Sequence, residues 1–212
     1  MAVIGNIDPW ADQFPQDQIL QVIQLVCDSW LTFSMPAERL EIPITQKLCA
    51  HLRTNRDRSV QWFRIDYETS VLDAEGEITG RIDLTFTQGF DENVYFSLEC
   101  KRLRVRSHKR FDTLANKYVT HGMFRYFTGQ YAKGLNRGGM LAYVMDGETE
   151  AAIEDVTKSI EKNKLALYMA SDDTLCVSSL SSREVRETWH QYGSDSRFVI
   201  YHIFLPAQST RN

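Results

Sequence analysis

Apolar and polar positions along this chain repeat with two different periods. From Pro15 to about Phe33, Ile19, Leu20, Ile23, Leu25, Val26 and Trp30 recur at helical spacing, which predicts an amphipathic helix. Ser34 to Pro36 ends it. A second helix is expected from about Pro43 to Arg53, with Ile44, Leu48 and Leu52 on one face and Pro43 in the first turn. The period then changes to two. Gln61 to Leu72 sets Trp62, Arg64, Asp66 and Glu68 against Phe63, Ile65 and Tyr67, the mark of a strand. Two further strands follow, Arg81–Thr87 and Tyr95–Lys101. They are joined by a turn rich in Gly89, Asp91 and Asn93.

The second half continues in the same alternation. Phe111 to Ala132 reads as a helix whose apolar side is Leu114, Tyr118, Val119, Met123, Phe124 and Phe127. Asn136 to Gly139 is a loop, Met140–Met145 a buried strand, and Glu148–Lys164 a charged helix carrying Ala152, Ile153, Val156, Ile160 and Leu165. Leu175–Leu180 is a short strand, and Phe198–Leu205 an apolar strand that closes the sheet, with His202 as a core or edge histidine. Strand–helix–strand order demands a crossover between parallel strands. The expected fold is therefore α/β, a central mixed β-sheet flanked by helices. It forms one domain over residues 1–212, with a helical N-terminal extension to about residue 35. Trp10 and Phe14 are possible anchors of the leading arm.

The polar faces of the two middle strands carry the candidate chemistry. With the turn centred on Asp91, residue 83 lies opposite 99, 84 opposite 98 and 86 opposite 96, and opposed residues share a face. Ile82, Leu84 and Phe86 then make an apolar face with Phe96, Leu98 and Cys100. Asp83, Glu99 and Lys101 converge on the other face. A solvated face with a surface salt bridge would use the same residue types. Carboxylate oxygens also suit a hard divalent cation such as Mg²⁺ or Mn²⁺. Such a cation lowers the pKa of bound water and stabilises charge on a phosphoryl oxygen. Lys101 is placed to orient the attacking hydroxide or neutralise the transition state.

Gly80-Arg81-Ile82-Asp83 followed by Glu99-Cys100-Lys101 on an apolar strand resembles the PD-(D/E)XK nuclease superfamily, over roughly residues 38 to 147. Ile82 stands where that pattern often has proline. The resemblance implies a restriction-endonuclease-like fold and a metal-dependent nuclease that hydrolyses phosphodiester bonds, with DNA the favoured substrate. It implies Mg²⁺ or Mn²⁺ held by Asp83, Glu99 and the backbone carbonyl of Cys100, and Lys101 beside the water. An acidic residue of the first core helix often completes such a site. Glu41 is the candidate, with Glu38 and Glu68 as alternatives; Glu41 is equally placed to cap its own helix. A glutamine or basic residue on the helix after E-x-K often faces the site, and Gln130, Arg125, Tyr131 and Lys133 are its candidates. Restriction, repair, recombination and defence against mobile elements are the implied settings, alone, as a homodimer or beside a partner protein.

Charge distribution strengthens the nucleic-acid reading. The chain of 212 residues has a formal net charge of −4, yet between Lys101 and Met145 ten Lys or Arg face one acid, Asp112. Local density of this kind tracks phosphates. The densest run, Lys101 to Arg110, supplies Arg102, Arg104, Arg106, Lys109 and Arg110 as candidate contacts, and Arg137 lies further along. Four scattered cysteines without C-x-x-C spacing predict reduced thiols and no zinc or iron–sulfur site. The acidic, proline-broken leader predicts no secretory signal, and a cytoplasmic location. Phosphate-loop, G-x-G-x-x-G, H-E-x-x-H and G-x-S-x-G motifs are absent from the sequence. Two rivals keep the fold without the chemistry: a catalytically inactive nucleic-acid-binding module, and a partner-binding protein whose hairpin is only a polar surface.

Overall fold

A computed structural model describes residues 13–73, 75–89, 91–107, 110–128, 130–132, 134–180, 185–191 and 197–207, with only the backbone of Ser107 and Arg110. The helices are α1 (Gln16–Thr32), α2 (Glu41–Asn55), α3 (Ala115–Thr120) and α4 (Thr149–Asn163). The strands are β1 (Arg64–Leu72), β2 (Ile78–Thr87), β3 (Tyr95–Leu103), β4 (Val105–Ser107), β5 (Arg110–Asp112), β6 (Arg137–Val144), β7 (Cys176–Val177), β8 (Val185–Gln191) and β9 (Arg197–Pro206). Seven of these strands form one mixed sheet in the order β1-β2-β3-β6-β9-β8-β7, and β4 and β5 pair apart from it. The pairs β3–β6 and β6–β9 are parallel and the rest antiparallel. The chain is thus α/β with a central mixed sheet.

The sheet divides the interior in two. Ile19, Ile23 and Val26 of α1 and Ile44, Leu48 and Leu52 of α2 cover one face, over Leu84, Phe96, Leu98 and Tyr143. Tyr118, Met123, Val156 and Ile160 cover the other, over Met140, Ala142 and Ile200. Phe14 is buried against Phe63 and Phe96, an anchor as the sequence suggested. Trp10 lies outside the described residues. The α1 indole of Trp30 donates to the Pro206 carbonyl at 2.8 Å, tying the first helix to the last strand.

The segment after β5 departs from expectation. Instead of one helix over Phe111–Ala132, it forms β5, the six-residue α3, and a 3₁₀ turn at Met123–Tyr126. Gly122 explains the break: a Cβ there would lie 2.4 Å from both the Met140 side chain and the Tyr118 carbonyl. The backbone can close on β6 only without a side chain. The turn drives Tyr126 onto β6, where its hydroxyl donates to the Gly139 carbonyl at 2.8 Å. Gly138 therefore belongs to β6 and not to a loop, because a Cβ there would strike the Tyr126 ring at 2.3 Å. Leu165, assigned to an apolar helical side, is 92% exposed beyond the end of α4.

β8 is an element that hydrophobic periodicity did not reveal. Its buried positions include Thr188 and His190, fully enclosed with His202 of β9. Their hydrogen bonds fix one direction. The Leu167 carbonyl can only accept, so His190 Nδ1 donates to it (2.7 Å) and Nε2 accepts from Thr188 Oγ1 (2.8 Å). The hydroxyl then accepts from His202 Nε2 (2.9 Å), and His202 Nδ1 accepts from Tyr118 (2.9 Å). Both imidazoles are neutral in this chain. Burial pushes His190 down to about 4 and His202 down to about 3.

Candidate active site

The site forms where β2 and β3 part. Their pairing matches Thr87 with Tyr95, Phe86 with Phe96, Thr85 with Ser97 and Leu84 with Leu98, and stops there. The expected opposition of residues 83 and 99 is thus not a ladder pair. On the other side of β2, the β1 register steps over Glu68 and Asp83, and Glu68 has a left-handed backbone with φ 49°. Past this interruption Ile82 no longer shares a core with Leu84 and Phe86; it packs on the opposite face of the sheet. Asp83 fills the gap, its Oδ2 accepting the Cys100 N–H at 2.7 Å in place of a backbone carbonyl.

Lys101 is the hub. Its Nζ donates to Glu99 Oε1 at 2.6 Å, Glu41 Oε1 at 3.1 Å and the Cys100 carbonyl at 2.9 Å. Glu41 is the first residue of α2, where a carboxylate also complements the helix dipole, and its Oε2 accepts the Arg102 N–H at 3.2 Å. One turn on, Thr45 back-bonds to the Glu41 carbonyl and meets the Tyr143 hydroxyl at 3.0 Å, which fastens the start of α2 to β6. This support is legible in sequence only as a hydroxyl four residues after Glu41, and sequence reasoning missed it. Of the alternatives to Glu41, Glu38 is exposed before α2, and Glu68 hydrogen-bonds its neighbour Tyr67.

The refolded segment after α3 closes the far side. Arg125 Nη1 lies 3.2 Å from Glu99 Oε1 and donates to Tyr131, whose hydroxyl in turn donates to the Arg81 carbonyl. Arg125 and Tyr131 are thus the members of that segment which reach the carboxylates. Gln130 donates instead to the Thr79 carbonyl at 3.3 Å, and Lys133 lies outside the described residues.

Burial and charge set the protonation of the group. Burial first, and then the Glu99 charge, push Asp83 up to about 7. Burial also raises Glu99, partly offset by Lys101 and Arg125. For Lys101 burial acts against the ammonium, but Glu99, Glu41 and Asp83 outweigh it and hold the group above its ordinary value. Glu99 is fully buried, whereas the side chains of Glu41 and Arg125 are 34% and 35% exposed and form the open side. Three carboxylates thus meet two cationic side chains, an excess of negative charge beside solvent. Among the described residues no group of three or more His, Cys, Asp or Glu side chains is gathered at metal-ligating spacing. Oxygens of Glu41, Glu99 and the Cys100 carbonyl surround the Lys101 ammonium instead.

The basic run has two parts with different fates. Arg104 is spent internally, donating to Asp146 at 2.9 Å and Asp155 at 2.6 Å, and its backbone is left-handed with φ 55°. Arg102 donates to the Arg39 carbonyl at 2.8 Å. These contacts engage both guanidinium groups within the fold, Arg104 through two carboxylates and Arg102 through one carbonyl. Arg106 lies beside the exposed Phe111 ring, 5.9 Å from its centroid. Lys109 and the Arg110 side chain are outside the described residues. Arg137, at the start of β6, belongs to a separate pocket.

No family model, curated protein or solved structure matches this chain. Among the described residues no helix is long and apolar enough to cross a membrane.

Proposed function

We propose that the protein is a divalent-metal-dependent nuclease on a restriction-endonuclease-like fold, with DNA as the favoured substrate. The supporting observation is the meeting of Asp83, Glu99, the Cys100 carbonyl, Lys101 and Glu41 at the β2–β3 parting. These are the residues that the D…E-x-K pattern nominates, brought together from three elements. The donor set suits Mg²⁺ or Mn²⁺ in kind, because all its groups are hard oxygens, and a bound ion would have to draw Glu41 and Glu99 from Lys101. Asp83, Glu99 and the Cys100 carbonyl would hold the ion, with Glu41 completing the set. A cation bound there supplies an acidified water and neutralises charge on the phosphoryl oxygen.

The chain's own residues supply the rest. Lys101 stays an ammonium among its carboxylates, so its part is to donate to the attacking oxygen and offset developing negative charge, not to remove a proton. Arg125 and Tyr131 fix the Glu99 carboxylate and the Arg81 backbone, keeping the two strands at their separation. Incubating the full chain with labelled single- and double-stranded DNA and RNA in Mg²⁺ or Mn²⁺ tests this reading. Cleavage should appear for wild type and vanish for Asp83→Ala. Equal cleavage by the two would refute it.

One observation favours a second reading. Lys101 already satisfies Glu41 and Glu99, a closed arrangement that an inactive nucleic-acid-binding or partner-binding module would also show. That module would bind nucleic acid, or a partner protein, without cutting under any cation.

A further inference from the structure

A pocket of about 180 Å³ lies on the α1 side of the sheet, where the start of β6 meets β8 and β9. Asn136, Arg137, Glu187, Trp189, Arg197 and Tyr201 line it. Arg137 pairs in the sheet with Val199, three residues before the Met140 that faces Glu99, so the pocket is roughly 10 Å along β6 from the carboxylate site. Tyr201 packs with the α1–α2 core, whereas Met140, beside Glu99, packs with the other.

The lining is organised. Arg137 hydrogen-bonds the Tyr201 phenol and donates to Gln16 Oε1 at 3.4 Å, which orients its guanidinium. Arg197 stacks over the Trp189 ring, 5.9 Å from its centroid. Glu187 also lines the pocket, its carboxylate accepting from Trp189 Nε1 at 3.1 Å and from Ser178. Asn136 also lines the wall, with its side-chain oxygen buried.

From two guanidinium groups and aromatic walls we infer that this pocket binds a nucleoside 5′-phosphate. Arg137 and Arg197 take the phosphate, in the charge-assisted geometry that guanidinium favours. The Trp189 and Tyr201 rings flank the sugar and base. The same chemistry is offered by a free mononucleotide and by the 5′-phosphorylated end of a strand. The inference does not need the carboxylate site, although a strand end held here would fit a nuclease.

Calorimetric titration of the full chain with thymidine 5′-monophosphate, the 5′-phosphorylated dinucleotide pTpT, thymidine and inorganic phosphate tests it. The two phosphorylated nucleosides should bind at least about tenfold more tightly than thymidine or phosphate. Arg197→Ala and Arg137→Ala should each weaken them by about tenfold. Tighter binding of pTpT assigns the pocket to strand ends, and equal binding to free nucleotides. Asp83→Ala should bind as wild type does, so loss of cleavage with retained binding would separate the two sites. No binding by wild type at about 5 mM, or binding unchanged in Arg197→Ala, would overturn the inference.

Discussion

Two polar groups are built into this protein on opposite terms. The Tyr118–His202–Thr188–His190 chain is sealed, carries no net charge, and gives every donor one acceptor in a single direction. The Asp83–Glu99–Lys101–Glu41–Arg125 group is ionic, opens to solvent along Glu41 and Arg125, and holds one carboxylate more than its cations balance. A closed neutral chain has nothing left to give a ligand, so its contribution is to stability. A charged group left unbalanced at the mouth of a strand parting costs stability and retains affinity for a further cation.

The largest expected effect lies on the charged side. Lys101→Ala should lower cleavage by at least about a thousandfold, since it removes the ammonium that contacts both Glu41 and Glu99. Rates on a labelled duplex measure it, and circular dichroism shows whether the fold survives. The sealed chain should respond in the opposite way. Thr188→Val leaves both His190 Nε2 and His202 Nε2 without partners and should destabilise by about 3 kcal/mol in urea unfolding, with cleavage per folded molecule unchanged.

Their pH dependences should also oppose each other. The two histidines have lowered values in the folded state. The stability of keeping them neutral is therefore present above their unfolded value near 6.5, and is lost as pH falls toward about 4 and about 3. Asp83 is raised to about 7, so the folded protein holds its proton more tightly and stability declines as pH rises from about 4 to about 7. Asp83→Asn should accordingly raise Tm at pH 8, by about 3 °C, and have little effect at pH 4. Differential scanning calorimetry across that range separates the two; a Tm gain at pH 4 equal to that at pH 8 would contradict the assignment. The smallest effect concerns the basic run. Arg106→Ala should reduce the slope of log K against log salt for duplex binding by about 0.9, while Arg104→Ala leaves the slope unchanged and costs stability.

The same contrast explains what could be read from sequence. Alternation of Leu84 and Phe86 against Phe96 and Leu98 set the hairpin register, and with it the proximity of Asp83, Glu99 and Lys101. Period-two reading could not foresee that pairing ends at Leu84, because the interruption lies in the backbone at Glu68 and in the side-chain bond from Asp83 to Cys100. Arg125 and Tyr131 were visible as residue types, but their position depends on the break at Gly122, a requirement imposed by Met140 some twenty residues on. β8 escaped because Thr188 and His190 look like surface residues until His202 and Tyr118 supply their partners. Arg104 looked like a phosphate contact for the converse reason, since Asp146 and Asp155 lie far along the chain.

The most direct measurement is calorimetric titration of Mg²⁺ and Mn²⁺ into wild type and into an Asp83→Ala, Glu99→Ala double variant. It requires no knowledge of the substrate. Saturable binding by wild type that is lost in the variant is the expected result. Absence of binding to both proteins, even with nucleic acid added, would contradict a catalytic cation site at the β2–β3 parting.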